Sequence, residues 1–394
     1  MPETVPEAAT AAATLSPLHD EHVALGANLT EFGGWLMPLR YTSDLAEHKA
    51  VRGAAGLFDL SHMGGISVTG PDAGAFLDHA LIGNLSGLAV MRARYTMICA
   101  PDGGVLDDLI VYHVAPGEYF VVANAANAAT VLVALLERAA GFDAQVRDVS
   151  ANQALIAVQG PRAEEILREV LTEDAEISGG TALDDLRYYA CLGMRFGDET
   201  VLVGRTGYTG EDGFEVWVDV PHAVALWRAL LAAGEPYGLV PAGLSARDSL
   251  RLEAGMPLYG HELDTTTTPF EAGLGRVVRL DKTSEDGTPV DFVGREALAA
   301  RKDSAPARVL VGLRGTGRRP ARAGYPVVRP GADGAPGPQV GTVTSGAPSP
   351  TLGSPVAMAY VTPEVSAEGT ELAVDVRGRA EPFVVVALPF YRRG

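Results

Sequence analysis

Two carboxylates, Asp107 and Asp108, directly follow a Gly-Gly turn in the segment YTMICAPDGGVLDDLIVY (95–112). Successive strand side chains point to opposite faces, so one of the pair can enter a pocket while the other serves a turn or a structural partner. On local sequence alone, a turn acid followed by a strand-entry acid accounts for both. The chemical alternative is that one of them is a site residue. A further acid, Glu215, closes the glycine-rich run RTGYTGEDGFE (205–215). That run lacks the Gly-x-x-x-x-Gly-Lys-Ser/Thr phosphate cradle and reads as a tight loop feeding a strand. In FEVWVDV (214–220), Phe214, Val216, Val218 and Val220 share one face, which turns Glu215 away from it. There Glu215 either faces water or accepts two adjacent N–H donors from a ligand.

The stretch PAGLSARDSLRLEAGMPLYGHEL (241–263) holds a predicted helix bearing Arg247, Asp248, Arg251 and Glu253. Read plainly, these charges make a solvated face with pairs one helical turn apart. His62, in SHMG (61–64), reads as structural, because nothing nearby suggests a metal or a Ser-His-acid triad. Met63 beside it can lay a flexible thioether on a flat ring. Asn124, in VVANAAN (121–127), is either a strand-end hydrogen bonder or a pocket residue.

These residues need a scaffold of ordinary globular composition to position them. The chain has 394 residues, 47% hydrophobic and 20% charged, enough for a large core split into two or three lobes. Net charge is −18, with three Lys among 31 basic residues, so nucleic acid is not an expected partner. No uninterrupted apolar run of spanning length occurs, and a membrane location is not expected. The first 16 residues, Ala-rich and acidic, read as a disordered arm and not as a secretory signal. Cys99 and Cys191 are the only cysteines; reduced thiols in a cytoplasmic setting are the simpler reading. Without HExxH or CxxC there is no sequence case for structural zinc.

Residues 105–114 and 118–123 read as a hairpin, and 127–139 as a helix. A second αβ stretch follows, with a strand over 154–161 and helices over 163–171 and 222–233. Residues 281–304 read as a linker or loop. From 305 to 394, short β-like runs separated by Gly and Pro predict a separate small β-barrel.

The run FGGWLMPLRYTSDLAEHKAVRGAAGLFDLSHMG (32–64) resembles the opening signature of the glycine-cleavage T-protein (aminomethyltransferase) family. The Gly-Gly-x-x-Asp-Asp element, RTGYTGEDGFE, the Ala-Arg-Asp helix, GTVTSGAPSPTLG (341–353) and the ending LPFYRRG (388–394) agree in the same order. The resemblance covers about residue 17 to 394. It implies an α+β, three-lobed ring: two related αβ lobes over 17–280, the second inserted at roughly 60–150, plus the C-terminal barrel, with folate in a central channel. It puts Asp108 beside the folate's reacting nitrogens as the catalytic residue, with Asp107 the lesser claimant. It makes Met63, Tyr95, Asn124, Tyr208, Glu215, Arg247, Tyr391 and Arg392 folate-contacting. A pterin's adjacent N–H donors suit Glu215, and Arg392 would neutralise part of the folate's anionic tail.

The implied reaction moves a one-carbon unit from the aminomethylated dihydrolipoyl arm of H-protein to tetrahydrofolate, releasing ammonia and forming 5,10-methylenetetrahydrofolate. Tetrahydrofolate is then a co-substrate, H-protein a transient partner, and no metal, flavin or pyridoxal phosphate is required. A monomer suffices. Two rival readings share the fold: a folate-dependent O- or S-demethylase, and an accessory protein of iron–sulfur cluster maintenance. The latter's Lys-Gly-Cys-Tyr element is missing from FEAGLGRVVRLDK (270–282).

Overall fold

The computed structural model describes residues 13–284 and 287–394. The chain forms three lobes, and a cavity opens between the first two and the segment 255–274. The first is built on a seven-stranded sheet in the spatial order Thr172–Glu173, Cys191–Phe196, Glu199–Gly204, Gly213–Asp219, Gln153–Gln159, Ala55–Asp59, Leu239–Pro241. Its pairings are antiparallel except the last, where Leu239–Pro241 runs parallel to Ala55–Asp59. The helices Ala163–Val170 and Val220–Gly234 cover it, burying Ile166, Leu167, Leu226, Trp227 and Leu230 against Ile156, Val158, Phe214, Val216 and Val218.

The second lobe is a five-stranded antiparallel sheet in the order Arg92–Cys99, Val105–Ala115, Glu118–Ala123, Gly64–Thr69, Gln145–Asp148. It lies in sequence between two neighbouring strands of the first sheet, Ala55–Asp59 and Gln153–Gln159. The two sheets meet through Phe58, Tyr112, Phe120, Leu155 and Trp217, with the Phe120 and Trp217 rings edge to face at 4.7 Å. The third lobe is a closed six-stranded barrel made from Val309–Gly315, Pro326–Pro330, Pro336–Pro348, Pro355–Val361, Glu371–Asp375 and Ala380–Val386. Closure removes the exposed edges that such short strands would otherwise present. No helix among the described residues is long and apolar enough to cross a membrane.

Three expectations need adjusting. Of the arm expected over 1–16, residues 1–12 lie outside the described residues, but the remainder is ordered. Thr14–Leu15 pairs in parallel with Trp35–Leu36, and buried Ser16 donates to the Asp59 carboxylate. The buried hydroxyl and Leu18 anchor a segment whose Ala-rich lead suggested none. Val220, expected on a strand face, instead opens the helix Val220–Gly234, where Pro221 suits a first helical turn. The segment expected as a linker carries the helix Arg295–Lys302, and buried Phe292 and Leu298 pack it onto the second lobe. Lys282 secures it further, donating to the carbonyls of Leu81 (2.7 Å), Gly83 (2.9 Å) and Asp78.

Candidate active site

The alternation of strand Val105–Ala115 separates the two acids. Asp107 joins the buried side with Leu109 and Val111, while half-buried Asp108 lines a cavity with Ile110. Gly104, in the turn before them, leaves no room for a side chain: a Cβ there would meet the Thr265 carbonyl oxygen at 2.0 Å. Asp108 accepts from the Tyr95 hydroxyl at 3.0 Å on one oxygen and from Asn124 Nδ2 at 2.8 Å on the other. The same Asn124 amide donates to Asp107 Oδ1 at 2.9 Å, so a single side chain links both carboxylates. Asp107 also accepts from the Asn124 backbone N–H at 2.9 Å and from Asn127 Nδ2 at 2.7 Å.

Burial pushes the Asp108 carboxyl up to about 6 against the pull of the Tyr95 and Asn124 hydrogen bonds. Asp107 is pushed up to about 7, first by burial and then by the negative charge of Asp108 beside it.

The cavity measures about 330 Å³, within the range of small-molecule sites. Phe32, Leu60, Met63, Ile110, Val122 and Leu155 make its walls largely apolar. Glu215 enters from strand Gly213–Asp219, on the face opposite Phe214 and Val216. Its Oε2 accepts from Thr206 Oγ1 at 2.5 Å and from the Tyr112 hydroxyl at 3.4 Å. Its Oε1 has no hydrogen-bond donor among the described residues and is available to a ligand.

Arg247, on the helix Leu244–Glu253, stacks its guanidinium 4.7 Å from the centre of the Tyr208 ring. Among the described residues it has neither a carboxylate partner nor a side-chain hydrogen bond. A cation walled into a cavity in this way calls for an anionic or electron-rich ligand group. Tyr208 is held by donating to the Pro257 carbonyl. Its loop is set by Gln159, which donates to the Thr206 carbonyl at 3.0 Å and accepts from Thr209 Oγ1 at 2.9 Å. Gly207 permits this approach, since a Cβ there would meet Gln159 Oε1 at 2.1 Å.

Of the residues anticipated from sequence, Met63, Tyr95, Asp108, Asn124, Tyr208, Glu215 and Arg247 line this one cavity. Tyr391 and Arg392 do not. Tyr391 lies against Arg52, whose guanidinium carbon sits 4.0 Å from the ring centre, and its backbone N–H donates to the Glu253 carbonyl at 2.8 Å. Arg392 is exposed. The solvated face of the plain reading holds for Asp248 alone, since Arg251 and Glu253 are buried and serve as structural ion-pair partners. Asp248 pairs with buried Arg251 at 2.7 Å, and Glu253 pairs with Arg52 at 2.8 Å. Sequence reasoning missed Asn127, Tyr189 and Phe32. Tyr189 carries a left-handed φ of 58°, uncommon for a bulky residue and located at the cavity wall. Nothing in the local pattern of RYYACLG (187–193) signals it.

Taken together, a cavity of largely apolar walls holding a buried carboxylate, a carboxylate oxygen without a donor and a guanidinium without a carboxylate partner among the described residues has the make-up of a small-molecule site. Residues 18–282 match the GCVT N-terminal domain and residues 308–392 the glycine cleavage T-protein C-terminal barrel domain. The chain belongs to the glycine-cleavage T-protein family. It is similar to the aminomethyltransferase of Streptomyces avermitilis, at 59% identity over 376 residues covering 94% of this chain and 96% of that one. The Streptomyces coelicolor aminomethyltransferase is 58% identical over the same shares of both chains. Among solved structures, the glycine cleavage system aminomethyltransferase T of Bartonella henselae shares 36% identity with a TM-score of 0.83, over 96% of this chain and 98% of that one.

Proposed function

We propose that this chain is the aminomethyltransferase of the glycine cleavage system. It moves the one-carbon unit of an aminomethylated dihydrolipoyl arm, carried by H-protein, to tetrahydrofolate, with release of ammonia and formation of 5,10-methylenetetrahydrofolate. The observation that carries the reading is the pairing of Asp108 with a ring-sized cavity of largely apolar walls.

Loss of ammonia from an aminomethyl thioether leaves an electrophilic carbon; one folate nitrogen attacks it, and ring closure by the second breaks the carbon–sulfur bond and releases the dihydrolipoyl thiol. The protein's part is to hold those nitrogens in line and to stabilise positive charge as it develops. Asp108 is suited to that work as a carboxylate clamped by Tyr95 and Asn124 in low-dielectric surroundings. Glu215 has an open oxygen for the N–H edge of a pterin, and Arg247 has unmatched donors for a carbonyl or carboxylate oxygen of the ligand. Met63 and Phe32 supply apolar contact to the faces of a flat ring.

The test is turnover with aminomethylated H-protein, with and without tetrahydrofolate, in the wild type and in Asp108→Asn. Folate-dependent formation of methylenetetrahydrofolate and ammonia, lost in a folded Asp108→Asn, supports the assignment. Folate binding without transfer from a competent H-protein overturns it in favour of another folate-dependent one-carbon reaction.

A further inference from the structure

Histidines buried in this molecule come with partners. His22 contacts Asp59 at 2.7 Å and the Tyr41 hydroxyl at 2.8 Å, and His48 contacts Ser249 at 2.8 Å and Thr351 at 3.0 Å. His113 reaches the Leu88 carbonyl at 2.6 Å. His62 differs. It is 3% exposed, yet neither ring nitrogen has a hydrogen-bond partner among the described residues; Nδ1 is shut off from solvent, which leaves Nε2 as the nitrogen a ligand can reach. Native interiors leave few polar side-chain atoms in that condition, and of the described residues that carry one, His62 is the one that lines the cavity.

Its surroundings fit that reading. His62 lines the cavity next to Met63, and its ring meets the Phe32 ring edge to face at 5.5 Å. We propose that His62 is a ligand-contacting residue of this cavity, whose imidazole hydrogen-bonds a polar edge atom of the flat heterocycle bound there. The inference rests on the proposed folate reading of the site. Burial, with the nearby Arg247 charge, holds the imidazole down to about 4, so it works as a neutral ring with one N–H donor and one lone pair. Among the described residues, three polar groups in this cavity then lack a hydrogen-bond partner: the open oxygen of Glu215, the guanidinium of Arg247, and His62. A ligand satisfying all three presents donors and acceptors side by side on its rim, as the fused pyrimidine edge of a reduced folate does. His62 binds and orients; it is too weakly basic to take up a proton near neutral pH.

The experiment is imidazole ¹⁵N NMR of the full chain, titrated with 5-methyltetrahydrofolate as a stable probe and with His62 assigned by the signals missing from His62→Asn. The expected result is a shift of several ppm in a His62 ring nitrogen at saturation, with His22 and His48 unmoved. His62→Phe, which keeps an aromatic ring but no hydrogen bond, is expected to weaken probe binding roughly tenfold, the equivalent of one hydrogen bond, and His62→Asn to weaken it less. Thermal melts of both variants establish that they fold. Probe binding with unmoved His62 signals and unchanged affinity in His62→Phe overturns this inference alone. Failure of the wild type to bind the probe at all overturns the folate reading as well.

Discussion

Removing the Asn124 side chain is expected to shift the pH at which the enzyme switches on. Asn124→Ala deletes the amide that donates to Asp108 Oδ1 at 2.8 Å and to Asp107 Oδ1 at 2.9 Å, while the Tyr95 bond to Asp108 stays. A hydrogen bond to a charged group is worth about 1.5–3 kcal/mol, and about 1.4 kcal/mol corresponds to one pKa unit. Starting from about 6, the Asp108 carboxyl then moves up by about one to two units. Asp108 acts as a carboxylate, so activity is lost as pH falls through its pKa. A raised pKa carries the acid limb of the profile toward higher pH. At pH 7 the ionised fraction drops from about nine-tenths to between about one-half and one-tenth. The assay is kcat/KM for methylenetetrahydrofolate formation between pH 5 and 9 at saturating H-protein. Asn127→Ala is the control, because among the described residues the Asn127 side chain hydrogen-bonds Asp107 and not Asp108. Its loss makes Asp107 harder to ionise, removes a like charge beside Asp108, and leaves the acid limb in place or slightly lower. A uniform loss of activity in Asn124→Ala, with the acid limb unmoved, would refute the argument that Asn124 tunes Asp108.

Glu215→Gln keeps an oxygen for Thr206 and Tyr112 but loses the charge facing the ligand, so folate affinity is expected to fall roughly 10- to 100-fold by equilibrium titration. An unchanged affinity would remove Glu215 from the binding edge. Arg52→Met removes the guanidinium from two nearly buried carboxylates, Glu253 and Glu211, now paired at 2.8 and 2.9 Å. It is expected to cost about 3–5 kcal/mol in denaturant unfolding, although Glu253 keeps Ser349 and Thr351 as donors. A midpoint equal to wild type would show the network to be dispensable. Asp108→Asn is expected to gain stability relative to wild type as pH rises from 5 to 8. The sign follows because a carboxyl raised to about 6 in the fold, above its ordinary value of 3.8, makes the ionised form the destabilising one. A stability difference between the two proteins that is flat with pH over that range contradicts the raised value.

What could be read from sequence was whatever depends on local periodicity. The two-residue repeat put Asp107 and Asp108 on opposite faces and turned Glu215 off the apolar face, as the sheets require. Asn124 was left open between strand-end hydrogen bonder and pocket residue, and the geometry makes it both, since one amide serves a buried acid and a cavity acid. Contacts between distant segments left no such trace. Arg52 meets Glu253 across 201 positions, and no local pattern foretold that Tyr391 would lie over that guanidinium and outside the cavity. The left-handed Tyr189 is imposed by tertiary packing where residue type alone would advise against it. His62 read as an ordinary core histidine because the property that sets it apart, a lack of partners, exists only in three dimensions.

The most direct test of the central claim is single-turnover transfer from aminomethylated H-protein to tetrahydrofolate, comparing wild type with Asp108→Asn after both are shown to fold and to bind folate. Methylenetetrahydrofolate and ammonia formed together by the wild type, with the rate falling at least about a hundredfold in Asp108→Asn, are the predicted result. Transfer at a near-normal rate by the folded variant would contradict the account of Asp108 as the group that stabilises the developing charge.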